Sequence, residues 1–397
     1  MRTSSWTLPI IVLSQFAGGS LWFSGNAIVS DLVQEWGISP HATSYITSSV
    51  QLGFILGTLF FAYFTIADRY PPKKIFFTCS LLGALFNSLI VILPNSLLSL
   101  IILRFATGFF LAGIYPVGMK IAAGIYKEGL GRALGFLVGA LAIGTAFPHL
   151  LKTTDFHVAW QLVLLATSTL SIIGGLAMLL FVPNEVGAPQ GIPFARGAFS
   201  TLIKAKAMRA AALGYFGHMW ELYTLWAFIP LFLSAFNTLH PQADINIPLW
   251  TFIVIASGFI GGSVGGLLSQ KRGSGPVACY QLTVSGTCCL LSPLFFALPL
   301  PAFLFIMWIW GICAAGDSPQ YSTLIAQNAP KNLVGSALTL VNSIGFFLTI
   351  VSIQFVDWMS QFMITEHLFL LLLPGPLIGL YCMRRFLPIM HRKQRAQ

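Results

Sequence analysis

Charge is what this chain has least of: 8% of its 397 residues are Asp, Glu, Lys or Arg, and only 11 are acidic. Soluble domains carry about a quarter, so a soluble fold is excluded and an integral membrane protein is implied. Cysteine is also sparse. All six (Cys79, Cys279, Cys288, Cys289, Cys313 and Cys382) fall inside apolar runs, where they act as small hydrophobes. Their spacing supplies neither a disulfide framework nor a zinc site. A small-residue cleavage pattern is missing after Arg2, so the first hydrophobic segment is expected to be a span and not a removed signal. The net charge of +10 could suggest nucleic acid, but the cations are scattered through short loops between apolar segments. That is the pattern of the positive-inside rule.

What is abundant fits a lipid-embedded helical bundle: 56% hydrophobic residues, 34 Phe and 37 Gly. Apolar windows of about twenty residues fall near 8–30, 45–67, 75–93, 97–121, 133–151 and 160–182. They resume near 210–236, 247–268, 276–298, 301–325, 333–355 and 367–386. This predicts an all-α integral membrane protein of about twelve transmembrane helices. The expected organisation is a six-helix half over 1–182, a linker over 183–209, a second six-helix half over 210–386 and a basic tail over 387–397. Alternate connections carry Arg69, Lys73 and Lys74; Lys127 and Arg132; the linker cations; Lys271 and Arg272; and Lys331. The opposite connections carry Asp31, Glu35, Asp155, Asp244, Asp357 and Glu366, with Lys152 their single cation. Both termini and the linker should therefore be cytoplasmic.

The two halves resemble each other. Arg104-Phe-Ala-Thr-Gly108, Gly113 and Pro116 match Met307-Trp-Ile-Trp-Gly311, Gly316 and Pro319, with Gly108, Gly113 and Pro116 each 203 residues before their counterparts. Gly131-Arg-Ala-Leu134 likewise meets Gly335-Ser-Ala-Leu338, and Gly19-Ser-Leu-Trp22 meets Gly217-His-Met-Trp220. Two parallel repeats are one plan of a secondary transporter.

A loop after the second span reads Phe64-Thr-Ile-Ala-Asp68-Arg69-Tyr-Pro71-Pro72-Lys73-Lys74, and its counterpart reads Gly266-Leu-Leu-Ser-Gln270-Lys271-Arg-Gly273. The first keeps an acid and its cations, the second the glycines. Together they resemble the loop motif of the major facilitator superfamily, Gly-x-x-x-Asp-Arg-x-Gly-Arg-Lys in outline, and the resemblance covers essentially the whole chain. It implies two halves around a central cavity lined by the first, fourth, seventh and tenth helices. It also implies a cytoplasmic latch of Asp68, Arg69, Lys73, Gly266 and Lys271, with Asp68 facing the N-terminus of a helix in the other half, the eleventh by expectation. Arg104 with Gly108 resembles a second motif, associated with proton-coupled members. In the fifth span, Gly131, Gly135, Gly139 and Gly144 suit close packing. Thr145 stands where the antiporter motif of that helix has Pro, which lowers the case for drug export.

Intramembrane polar groups concentrate in those four spans. His218 and Glu221 are three residues apart and share a helix face, and ionisable groups at bilayer depth mark pathways or relays. Glu221, His218 and Asp317 are the candidates for proton coupling: a proton, a substrate or Arg104 could compete for the Glu221 carboxylate. Arg104, Trp22, Asn26, Tyr115, Trp220, Tyr223, Gln320 and Asn342 are the candidates for substrate contact, with Arg104 expected to pair with Glu221 or Asp317. The expected function is proton-coupled import of a small polar, anionic or zwitterionic solute by alternating access in the bacterial inner membrane, as a monomer and without a cofactor. The alternatives are a proton-driven exporter of amphipathic metabolites or drugs and an iron-chelate (siderophore) importer. An enzyme is not expected, since His218 with Glu221 lacks the second histidine of a His-Glu-x-x-His zinc site. A channel does not call for repeated halves, and a receptor would need a signalling domain.

Overall fold

The computed structural model describes residues 5–39, 41–93, 96–126, 130–153, 158–183, 204–330 and 333–394, with side chains omitted at 130–132 and 386–394. Most of the linker expected over 183–209, together with Lys127, Asp155 and Lys331, lies outside the described residues. Within them the chain is helical, with no strand. Ten helical stretches are long and apolar enough to cross a membrane. The two remaining spans expected from sequence are the shorter α1 (Thr7–Gly19) and α5 (Pro72–Leu89). Helix starts follow local chemistry. Proline opens α5 and α7 (Tyr115–Ile125), where a missing N–H costs nothing. Ser96 caps α6 (Leu97–Leu111) by accepting from the Ser99 amide at 3.2 Å. Gly37, at φ +63, ends α2 (Val29–Trp36) in a left-handed conformation open to glycine.

The chain divides into two compact units, residues 1–191 with 246–259, and 192–245 with 260–397. The short segment 246–259 belongs with the first unit because α11 (Ile247–Ala256) packs on α8 (Leu130–Leu151), and Phe259 covers Gly139. In that unit α3 (Ala42–Tyr63) lies along α6, α5 lies along α6 and α9 (Trp160–Phe181), and α1 rests on α8 and α9. Helices in lipid have no hydrophobic drive toward one another, so close backbone approach carries the packing. At Gly108 of α6 a Cβ would overlap the Val50 carbonyl of α3, and at Gly53 it would overlap the Phe105 carbonyl of α6. Gly144 of α8 meets the Phe16 carbonyl of α1 in the same way.

In the second unit α10 (Lys206–Leu239) packs on α17 (Pro374–Gln394), α16 (Val334–Met359) and α15 (Ser318–Asn328). The α13 helix (Ser274–Leu291) packs on α14 (Leu300–Gly316), α15 and α17. Gly261 of α12 (Gly258–Arg272) sits against the Ile312 carbonyl of α14, the counterpart of the contact of Gly57 with the Phe109 carbonyl of α6. The internal repeat reaches the helix breaks too. The fourth span is interrupted between Leu111 and Tyr115 just before Pro116, and the tenth between Gly316 and Ser318 just before Pro319.

Candidate functional site

The first span is not one helix. α1 stops at Gly19, the chain turns through Ser20–Gly25, and helix resumes at Asn26 in a short 3-10 turn before α2. A broken helix leaves backbone carbonyls without partners, and in a membrane interior they must be satisfied by protein. Arg104, fully buried on α6, does this: its Nη2 donates to the carbonyls of Leu21 and Trp22, the former at 2.9 Å. Its Nη1 donates to Ser24 Oγ at 2.9 Å and to Asn87 Oδ1 at 2.8 Å. Asn87 on α5 in turn donates to the Leu164 carbonyl at 3.1 Å and Ser168 Oγ at 3.0 Å on α9, and Ser24 Oγ donates to its Oδ1 at 2.7 Å. These hydrogen-bond acceptors are neutral and lie in the first unit. The expected pairing of Arg104 with Glu221 or Asp317 is therefore corrected: its terminal nitrogens are committed to the break in the first helix.

A second buried polar centre lies in the other unit. Glu221 on α10 is 2% exposed, and its Oε1 accepts from Trp310 Nε1 of α14 at 2.8 Å and from Ser285 Oγ of α13. Both donors are neutral. One turn earlier on α10, His218 Nδ1 lies 2.8 Å from Asp317 Oδ1, and each side chain is 1% exposed. At that separation the two side chains form a buried His–carboxylate pair. Among the described residues, His218 Nε2, Asp317 Oδ2 and the buried Tyr321 hydroxyl have no hydrogen-bond partner. The Tyr321 and Tyr215 rings flank the imidazole at centroid distances of 6.0 and 5.8 Å. Asp317 is the junction residue between α14 and α15, two residues before Pro319, whose missing N–H interrupts the helical hydrogen-bond ladder.

The remaining candidates divide between the units. In the first, Trp22 is buried against Phe54 at 4.8 Å, Asn26 Nδ2 donates to Thr47 Oγ1 at 2.6 Å, and Tyr115 is half-buried at the start of α7. In the second, Trp220 Nε1 donates to the Leu371 carbonyl at 3.0 Å, Tyr223 packs between Trp226 and Phe346 at 5.2 Å each, Gln320 is buried and Asn342 half-buried. Of the residues expected to form a latch, Asp68 pairs with Lys120 of α7, a partner in its own unit that the sequence had not singled out. Arg69 Nε donates to Thr65 Oγ1 at 3.1 Å and Lys73 Nζ to the Val182 carbonyl at 3.1 Å. Gly266 faces open space, and Lys271 is exposed at the end of α12. Sequence reasoning also missed Asn87, Ser285 and Trp310. Each is a neutral residue in an apolar window, and the available signal was that a buried charge must recruit such donors and acceptors. Among the described residues no three His, Cys, Asp or Glu side chains are grouped as a metal site requires.

Similarity to known proteins bears on this arrangement. A niacin transporter of Acinetobacter baylyi is 28% identical over 177 residues, which cover 42% of this chain and 36% of that protein. An uncharacterized transporter of Escherichia coli is 23% identical over 256 residues, covering 58% of this chain and 53% of that protein. The chain thus matches about a third to a half of these relatives' own length. In structure, it aligns with a crystallised nucleoside transporter at a TM-score of 0.69 and 14% identity, over 96% of this chain and 98% of the other, which shows a shared fold. The family model described as Major Facilitator Superfamily matches residues 10–353. This multi-pass membrane chain belongs to the Major Facilitator Superfamily.

Proposed function

We propose that this transporter is a proton-coupled importer of a small polar, anionic or zwitterionic solute, working by alternating access in the bacterial inner membrane. The observation that carries the reading is the enclosure of Glu221, His218 and Asp317 in one unit, each at 2% exposure or less, on helices able to cross a membrane. Their described contacts include no lysine or arginine. Uncompensated charge at this depth is expensive, and a proton cancels it on a carboxylate, so the set is suited to gain and lose protons as the transporter cycles. His218 Nδ1, 2.8 Å from Asp317 Oδ1, gives that carboxylate a neighbour with which a proton can be shared.

The substrate class is the one expected from the sequence. It is supported by the name of the Acinetobacter relative, since niacin is a small aromatic carboxylate. Niacin is accordingly the first solute to try. The purified protein is placed in liposomes enclosing a pH-sensitive dye, and solutes are added outside by class, beside Glu221→Gln. Internal acidification on addition of a small carboxylate, reduced at least tenfold in the variant, is the expected result. Internal alkalinisation would replace import by exchange, and unaltered coupling in the variant would remove Glu221 from the mechanism.

A further inference from the structure

Outside the polar centres, the second unit carries a groove of about 780 Å³ on its outer surface, between α13 and α17. That volume lies within the range of small-ligand sites. Its floor is formed where Gly286 of α13 lets Pro376 of α17 approach, a Cβ at 286 falling 2.8 Å from the proline ring. Its walls are apolar and outward-facing, with Leu290 54% and Leu377 56% exposed. One end differs. There the lining changes to Tyr381, Arg384 and Arg385, all exposed and within the last turns of the twelfth span.

The dimensions suit a lipid. From Leu373 to Arg384 a helix rises about 16 Å at 1.5 Å per residue, which is half of a hydrocarbon core of roughly 30 Å. The groove therefore extends through one leaflet and ends in cations at the depth of that leaflet's headgroups. Two adjacent guanidinium groups match phosphate oxygens, a tyrosine suits the interface, and basic pockets between transmembrane helices select anionic headgroups.

We infer that the α13/α17 groove is a binding site for one phospholipid of net negative charge, its acyl chain lying over Gly286 and Pro376 and its phosphate held by Arg384 and Arg385. The inference does not depend on the transported solute. Its test is native mass spectrometry of the full-length protein released from nanodiscs of mixed phosphatidylglycerol and phosphatidylcholine. One retained phosphatidylglycerol per chain is expected, favoured over phosphatidylcholine by roughly thirtyfold, as two cations near a headgroup would give. Retention should be lost both in Arg384→Gln/Arg385→Gln and in Thr287→Trp, which fills the groove from an exposed position and leaves the cations in place. Equal retention of the two lipids would overturn the proposal. So would phosphatidylglycerol that survives Thr287→Trp, since that lipid would be held by surface charge alone.

Discussion

Arg104 shows how one buried side chain can set a local backbone path. Four hydrogen bonds run from its two terminal nitrogens to Ser24, Asn87 and the carbonyls of Leu21 and Trp22. Lysine keeps the charge but has three donors on one nitrogen and no planar fork, so it cannot reach all four acceptors at once. Arg104→Lys should leave at least one buried acceptor unsatisfied and cost about 1–3 kcal/mol. Asn87→Leu should cost more, about 3 kcal/mol or above, because a buried charge loses an acceptor it cannot replace. Thermal unfolding in detergent, followed by tryptophan fluorescence, would order the two below the parent, with Asn87→Leu lowest. Equal stability of both variants and the parent would show that the guanidinium does not hold the break. Glu221 and Arg104 were legible in the sequence because a charge in an apolar run is conspicuous. Asn87, Ser285 and Trp310 were not, because a neutral polar or indole group in such a run has many structural uses and only the fold shows which charge it serves.

At the scale of helices, packing rests on positions where only hydrogen fits. Gly108→Ala would drive a methyl into the Val50 carbonyl, and backbone on both sides leaves no flexible side chain to yield, so α3 and α6 must separate. Overpacking of this kind costs about 1–3 kcal/mol. Gly266→Ala meets nothing within 4 Å and should be neutral or stabilising by up to about 1 kcal/mol, the helix propensity gain of Ala over Gly. Comparing the two midpoints checks the argument, because a similar loss in both would place the cost in helix flexibility and not in contact. The 203-residue repeat made Gly108, Gly113 and Pro116 recognisable as counterparts of Gly311, Gly316 and Pro319, and the breaks at 112–114 and 317 follow it. The break at Ser20–Gly25 was hidden, because hydropathy over 8–30 stays apolar whether or not the backbone is helical. The placement of 246–259 with the first unit was also illegible, since it depends on Phe259 meeting Gly139 far along the chain.

For the molecule as a whole, orientation in the bilayer follows from which loops hold cations. Lys152 is the one cation among the acidic connections, and its Nζ lies 2.9 Å from Asp31 Oδ1 while donating to the Val158 carbonyl at 3.0 Å. A cation already paired with a carboxylate on the same side adds little against the bias of the other loops, where Arg69, Lys73, Lys74, Lys271 and Arg272 accumulate. We therefore expect the loop of Arg272 and the C-terminal tail to face the cytoplasm and the loop of Asp244 to face the opposite side. Both positions are exposed, so each can carry a reporter thiol. The six native thiols are buried or half-buried, so an aqueous maleimide reaches them poorly. In intact cells a membrane-impermeant maleimide should label Asp244→Cys and leave Arg272→Cys unmodified, and in inverted vesicles the pattern should reverse. Labelling of Arg272→Cys in intact cells would turn the molecule over, placing the basic end of the α13/α17 groove in the outer leaflet and removing the cytoplasmic assignment of the tail.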